Sequence, residues 1–73
     1  MLTRFRTTLT ADGRTDTRYA DAEDHSKAAW ATVRAWRSDA MFRHAYVREG
    51  YTEYAFRGPR SFTDYATVRV YKD

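Results

Sequence analysis

Two histidines, ten carboxylates and no cysteine make up the usual stock of catalytic and metal-binding groups in this 73-residue chain. His25 stands just ahead of an Ala-rich segment and His44 within an aromatic one, and neither has a second ligand at metal-binding spacing. There is no Gly-rich phosphate loop, no HExxH and no GxSxG. Five of the ten carboxylates lie between Asp12 and Asp24, where turns and a helix cap use them. Without Cys there is no disulfide framework, thiolate zinc site or Cys nucleophile. A domain with one helical layer also has little depth from which to exclude water. The expectation is a protein that is not an enzyme, with no catalytic residue, cofactor or metal.

The side chains in surplus are of another kind. Eleven Arg stand against two Lys, and six Tyr, four Phe and two Trp bring the aromatic content to 16%. A GC-rich genome accounts for the choice of Arg over Lys without any selection for its chemistry. Arg with Tyr is nonetheless what binding surfaces enrich, and the pair also suits stacking on unpaired bases. The net charge of +3 and pI near 9.5 permit an anionic partner without requiring one.

What these side chains do depends on which face each element gives them. Residues 3–10 and 14–20 are Thr-rich and carry Phe5 and Tyr19, a composition that favours strands. A three-residue loop Ala11-Asp12-Gly13, with Gly13 left-handed, pairs Thr10 with Arg14. That register puts Leu9, Thr7 and Phe5 on one face with Thr15, Thr17 and Tyr19, and Arg4, Arg6 and Arg18 on the other. A two-residue loop sets Leu9 against Asp16 and Phe5 against Ala20, mixing apolar with charged residues, so the longer loop is preferred. It leaves Arg6 facing Arg18, an unfavourable pair that Asp16 or an anionic partner would relieve.

Asp24 is placed to cap a helix over 26–37, with Asp21 and Glu23 nearby where the helix dipole favours negative charge. At 100° per residue Val33 lies mid-stripe, flanked by Ala29, Trp30 and Trp36, so both Trp point broadly toward a sheet. Residues 41–48 and 51–57 flank a tight turn at Glu49-Gly50 that pairs Arg48 with Tyr51 and Ala45 with Tyr54. A helix through 40–47 is the competing reading of the first piece. Met41, Ala45, Val47, Tyr54 and Phe56 share a face, with Arg43 a misfit. Residues 65–71 alternate cleanly, Ala66, Val68 and Val70 against Tyr65, Thr67, Arg69 and Tyr71.

The predicted order β-β-α-β-β-β makes an α+β fold: one antiparallel sheet of about five strands with one helix packed on one face. One helix covers only one side, so the other face meets water or a partner. That face collects Arg4, Arg6, Arg18, Arg48, Arg57 and Arg69, interleaved with Phe42, His44, Tyr46, Tyr51, Tyr65 and Tyr71. The candidate partner-binding residues are Arg4, Arg6, Arg18, His44, Tyr46, Arg48, Tyr51, Arg57, Arg69 and Tyr71. Tyr and Arg also populate open strands as solvated, β-favouring residues with no partner at all. Glu49, Glu53 and Asp64 dilute the positive field in the C-terminal half, and no RNP-type, helix-turn-helix or zinc-finger pattern is present.

Size sets the remaining bounds. Residues 1–73 form a single domain, since a chain this short has no room for a second core. Leu, Val and Phe total ten residues and Ile is absent, so aromatic rings must supply much of the core. The longest uncharged run, 28–33, is far short of the ~20 residues a membrane helix needs, and no signal peptide is evident. The default location is the cytoplasm, with no membrane partner.

The layout resembles that of a small anti-CRISPR protein of the type I-F class. The likeness includes the junction Ala22-Glu23-Asp24-His25-Ser26-Lys27-Ala28 and the hairpin Val47-Arg48-Glu49-Gly50-Tyr51-Thr52, and runs over nearly the whole chain as order and spacing. It implies a phage-encoded, non-enzymatic inhibitor that binds an RNA-guided surveillance complex in the host cytoplasm and blocks access of target DNA. It transfers no functional residue. The expected function is therefore a small phage or mobile-element protein that binds and inhibits a host protein complex through its Arg/Tyr face. The alternatives are a nucleic-acid-binding accessory domain using the same face, and a homodimer formed through open sheet surfaces.

Overall fold

Every segment expected to be a strand or helix is one in the structure, a computed structural model that describes residues 1–59 and 61–71. Strands β1 (Thr3–Ala11) and β2 (Arg14–Ala22) precede helix α1 (His25–Trp36). Strands β3 (Met41–Arg48), β4 (Tyr51–Gly58) and β5 (Ser61–Tyr71) follow it. They form one antiparallel sheet in the order β2-β1-β5-β4-β3, with α1 across one face. Residues 41–48 are thus strand, and the helical alternative is excluded. The cleanly alternating segment, β5, takes the central position: Ala66, Val68 and Val70 are all buried beneath the helix.

Helix α1 begins where the sequence provides a cap. The Asp24 carboxylate accepts the Lys27 N–H at 2.8 Å, and Ala28 N–H closes the first turn on the Asp24 carbonyl at 3.1 Å. The inward stripe is Ala28, Ala29, Thr32 and Val33, all buried, while Lys27, Ala31, Arg34 and Ala35 face water. All four are small or β-branched, which lets the helix sit close to the sheet. Ala22, Ala40 and Ala66 complete the same solution from the sheet and loop side. The shortage of large aliphatics is met by close approach.

Two features fill the remaining space. Under the helix, Phe56 is fully buried and meets Trp30 edge-on at 5.0 Å and Phe42 at 5.9 Å. Near the sheet centre Thr7 and Thr32 are buried and their hydroxyls lie 2.9 Å apart, with Thr7 Oγ1 also donating to the Arg18 carbonyl at 3.3 Å. Each buried hydroxyl therefore has a partner, as burial requires.

Tyr54 is buried near the helix N-terminus. Burial pushes its phenol above the ordinary value, and the Asp24 carboxylate adds to the rise. Above about pH 10 the unfolded chain releases this proton while the folded chain retains it. The contribution is therefore complete below that pH and declines as pH climbs toward the folded-state value. Tyr54→Phe is expected to flatten the alkaline limb of the stability curve, followed by denaturant unfolding at stepped pH. An unchanged limb would show that Tyr54 does not set it.

Two registers differ from expectation, and both move side chains between faces. The first hairpin turns in two residues, not three. Asp12 (φ 54°) and Gly13 (φ 75°) are both left-handed, as a type I′ turn demands, and Ala11 pairs with Arg14. Leu9 therefore faces Asp16 and Phe5 faces Ala20, the arrangement the apolar pattern had disfavoured. A slip of one residue flips the whole of β2. Tyr19, Thr17 and Thr15 leave the helix side, and Arg18, Asp16 and Arg14 take it. The sheet accepts this because β2 is an edge strand whose residues 14–19 are all exposed, so only Ala20 and Ala22 pack inward.

The second difference is a bulge. The β3–β4 pairing runs as expected from Arg48–Tyr51 to His44–Ala55, then shifts so that Phe42 faces Phe56. Arg43, the misfit of the regular pattern, is displaced to the open face, where its guanidinium lies 4.8 Å from the Tyr65 ring centre. Phe42 moves the opposite way, to the Trp30–Phe56 cluster.

Candidate functional site

The sheet face opposite α1 is a lattice of arginine and tyrosine. One cross-strand row reads Tyr19, Arg6, Tyr71, Tyr51, Arg48, from β2 to β3. The next reads Thr17, Thr8, Arg69, Glu53, Tyr46. At about 4.8 Å per strand such a row spans roughly 19 Å. Toward β1 and β2 the face turns to threonine, with Thr10 and Thr15 hydroxyls 3.0 Å apart.

The guanidinium groups lie on the rings. Arg6 stands 4.5 Å from the centre of Tyr71, Arg48 4.8 Å from Tyr46, and Arg69 5.1 Å from Tyr51. Rings also meet one another, Tyr51 with Tyr71 at 5.5 Å and His44 with Tyr46 at 4.7 Å. Such contacts hold a long side chain without cancelling its charge. Ion pairs do cancel charge, and those on the open face include Arg4 with Asp21 at 3.4 Å and Arg69 with Glu53 at 3.1 Å. The hydrogen bond to Glu53 also holds the Arg69 pKa above its ordinary value.

Charge is divided unequally between the two sides. Among the described residues, Arg4, Arg6, Arg43, Arg48, Arg57 and Arg69 lie on the open face against Asp21 and Glu53. On the helix side and the turns, Arg14, Arg18, Lys27, Arg34 and Arg37 meet Asp12, Asp16, Glu23, Asp24, Asp39 and Glu49. Arg60, the Asp64 carboxylate, Lys72 and Asp73 lie outside the described residues and cancel in formal charge. Among the described residues the open face therefore carries a net charge of +4 and the helix side with the turns −1.

Of the candidate residues, Arg4, Arg6, His44, Tyr46, Arg48, Tyr51, Arg57, Arg69 and Tyr71 come together there. Arg18 does not: the two-residue turn carries it to the helix side, into a groove with Ala31, Thr32 and Ala35. Phe42 leaves through the bulge. The same shifts bring in Tyr19 and Arg43. The Arg6–Arg18 repulsion disappears with them, because Arg6 now faces Tyr19. The cue for Tyr19 was the spacing of Ala20 and Ala22, the two β2 residues small enough to sit under a helix. The cue for Arg43 was its misfit in an otherwise apolar alternation.

A cleft of about 370 Å³ lies beside Trp36, lined also by Leu9, Ala11, Asp12, Arg14 and Asp16. Among the described residues no group of three or more His, Asp or Glu side chains is placed to hold a metal ion. Among them, too, no helix is long and apolar enough to cross a membrane. No protein-family model matches the chain, and no curated protein or solved structure is similar to it.

Proposed function

We propose that this chain is a small non-catalytic binding protein that inhibits a host macromolecular complex by docking its open sheet face on an anionic surface of that complex. The observation that carries the reading is the segregation of charge: among the described residues the net positive charge lies on one face, interleaved with tyrosine. A solvated face with no partner needs neither this concentration nor rings under its guanidinium groups. The layout resemblance to type I anti-CRISPR proteins makes an RNA-guided surveillance complex the first to test, with block of target-DNA access as the corresponding mode of action.

Capture from a host lysate on immobilised protein, followed by mass spectrometry, tests the reading. A stoichiometric complex that elutes with rising salt is the expected result. Recovery of chaperones alone would remove the proposal. A gel shift with DNA or RNA at low salt, its affinity falling steeply with salt, would instead make nucleic acid the direct ligand.

A further inference from the structure

Three features of strand β3 together bear on what binds there. It is terminal in the strand order, and all eight of its residues are exposed. It carries no carboxylate, and among the described residues Arg43 and Arg48 touch tyrosine rings with no acid at ion-pair distance. Its helix side is also largely uncovered. Helix α1 packs over β2, β1 and β5 and only marginally over β4, so Val47 is 86% exposed and Phe42 48%.

The backbone completes the site. The second hairpin turns in two residues, so Arg48 and Tyr51 form the hydrogen-bonded pair beside the turn and alternate pairs follow it. Ala45 and Val47 consequently direct their N–H and C=O groups outward. The irregularity is confined to the bulge at Arg43, and the pairing from His44 to Arg48 is regular. An unpaired straight edge of this kind templates another strand.

We propose that the β3 edge accepts an extended acidic segment of a protein partner as a sixth strand. Because side chains alternate between faces, every second residue of the added strand lies beside Arg48 and Tyr46 on the open face. The residues between lie beside Val47 on the helix side. The matching chemistry is alternation of Asp or Glu with apolar residues. This rests on the reading of the chain as a protein-binding module and specifies where and how a partner is held. A second copy fits less well: β3 paired antiparallel with itself brings His44 and Arg48 of both copies together on one face. The opposite edge, β2, offers no such field, since it mixes Arg14 and Arg18 with Asp16 and Asp21 and is overlaid by α1.

Fluorescence anisotropy with a capped, fluorescein-labelled (Asp-Val)4 peptide tests the proposal, with (Lys-Val)4 as control. Saturable binding of the acidic peptide alone is expected, weakened by about tenfold or more in the Arg43→Glu/Arg48→Glu double variant. N-methylation of one alternate set of peptide residues should abolish binding, while methylation of the other set leaves it intact. Equal binding of both methylated peptides would overturn strand addition while leaving docking on the open face in place. No binding of any peptide would overturn the edge site. Arginine-dependent capture from lysate would then still uphold the face, and its loss as well would end both. A dimeric mass by light scattering, returned to one chain by Val47→Lys, would assign the edge to a second copy and overturn the proposal.

Discussion

Phe56→Ala is expected to lower stability by about 3–5 kcal/mol, a large share of what so small a domain has. Phe56 is fully buried, and its ring joins the helix to the β3 half of the sheet through Trp30 and Phe42. Few other contacts do so, because α1 lies mainly over the opposite half. At about 0.05–0.15 kcal/mol per residue a 73-residue domain has only on the order of 4–11 kcal/mol in total. One cavity under the helix therefore removes much of it. Urea unfolding followed by tryptophan fluorescence measures the effect, since Trp30 is in contact with the deleted ring. Trp36, half-buried at the last turn with Arg37 over its ring, is expected to matter less. A loss below about 1 kcal/mol for Phe56→Ala would show that the aromatic cluster is not the keystone of the core.

How far the sequence discloses the molecule depends on where strong constraints act. The alternation of β5 was unambiguous because both of its faces have fixed neighbours: the helix on one side, the Arg/Tyr lattice on the other. The cap at Asp24 and the Glu49-Gly50 turn were legible because short-range geometry alone decides them. Strand β2 was not. Apolar segregation decides register only where a face is buried, and residues 14–19 of this edge strand are exposed on both faces. The deciding information was local, the Asp-Gly pair that prefers a type I′ turn. Phe42 and Arg43 went astray for a different reason. A bulge breaks the period of two at one point, and the gain that stabilises it, Phe42 against Trp30 and Phe56, comes from residues distant in sequence. The arginine-rich face itself survived both errors, since β1, β4 and β5 contribute most of it.

Reversing charge at the uncompensated end of that face should separate binding from folding. Arg43→Glu with Arg48→Glu is expected to weaken partner binding by at least about 100-fold, because each reversal replaces attraction with repulsion at a protein contact worth about 2–5 kcal/mol. Stability should fall far less. What is lost in the fold is two exposed cation–π contacts, each about 0.5–1 kcal/mol, with no ion pair broken. Arg69→Glu would be a poorer probe, since it sets a carboxylate against Glu53. The informative control is Arg14→Glu with Arg18→Glu, equal in charge change but on the helix side of β2. If non-specific attraction from a pI near 9.5 drives association, both pairs reduce binding alike. If the open face is the docking surface, the β2 pair binds within a few-fold of the parent. Calorimetry for affinity and thermal melts for stability, run on both variants, distinguish the two. A β2 pair as defective as the β3 pair would mean that total charge, and not its placement, governs recognition.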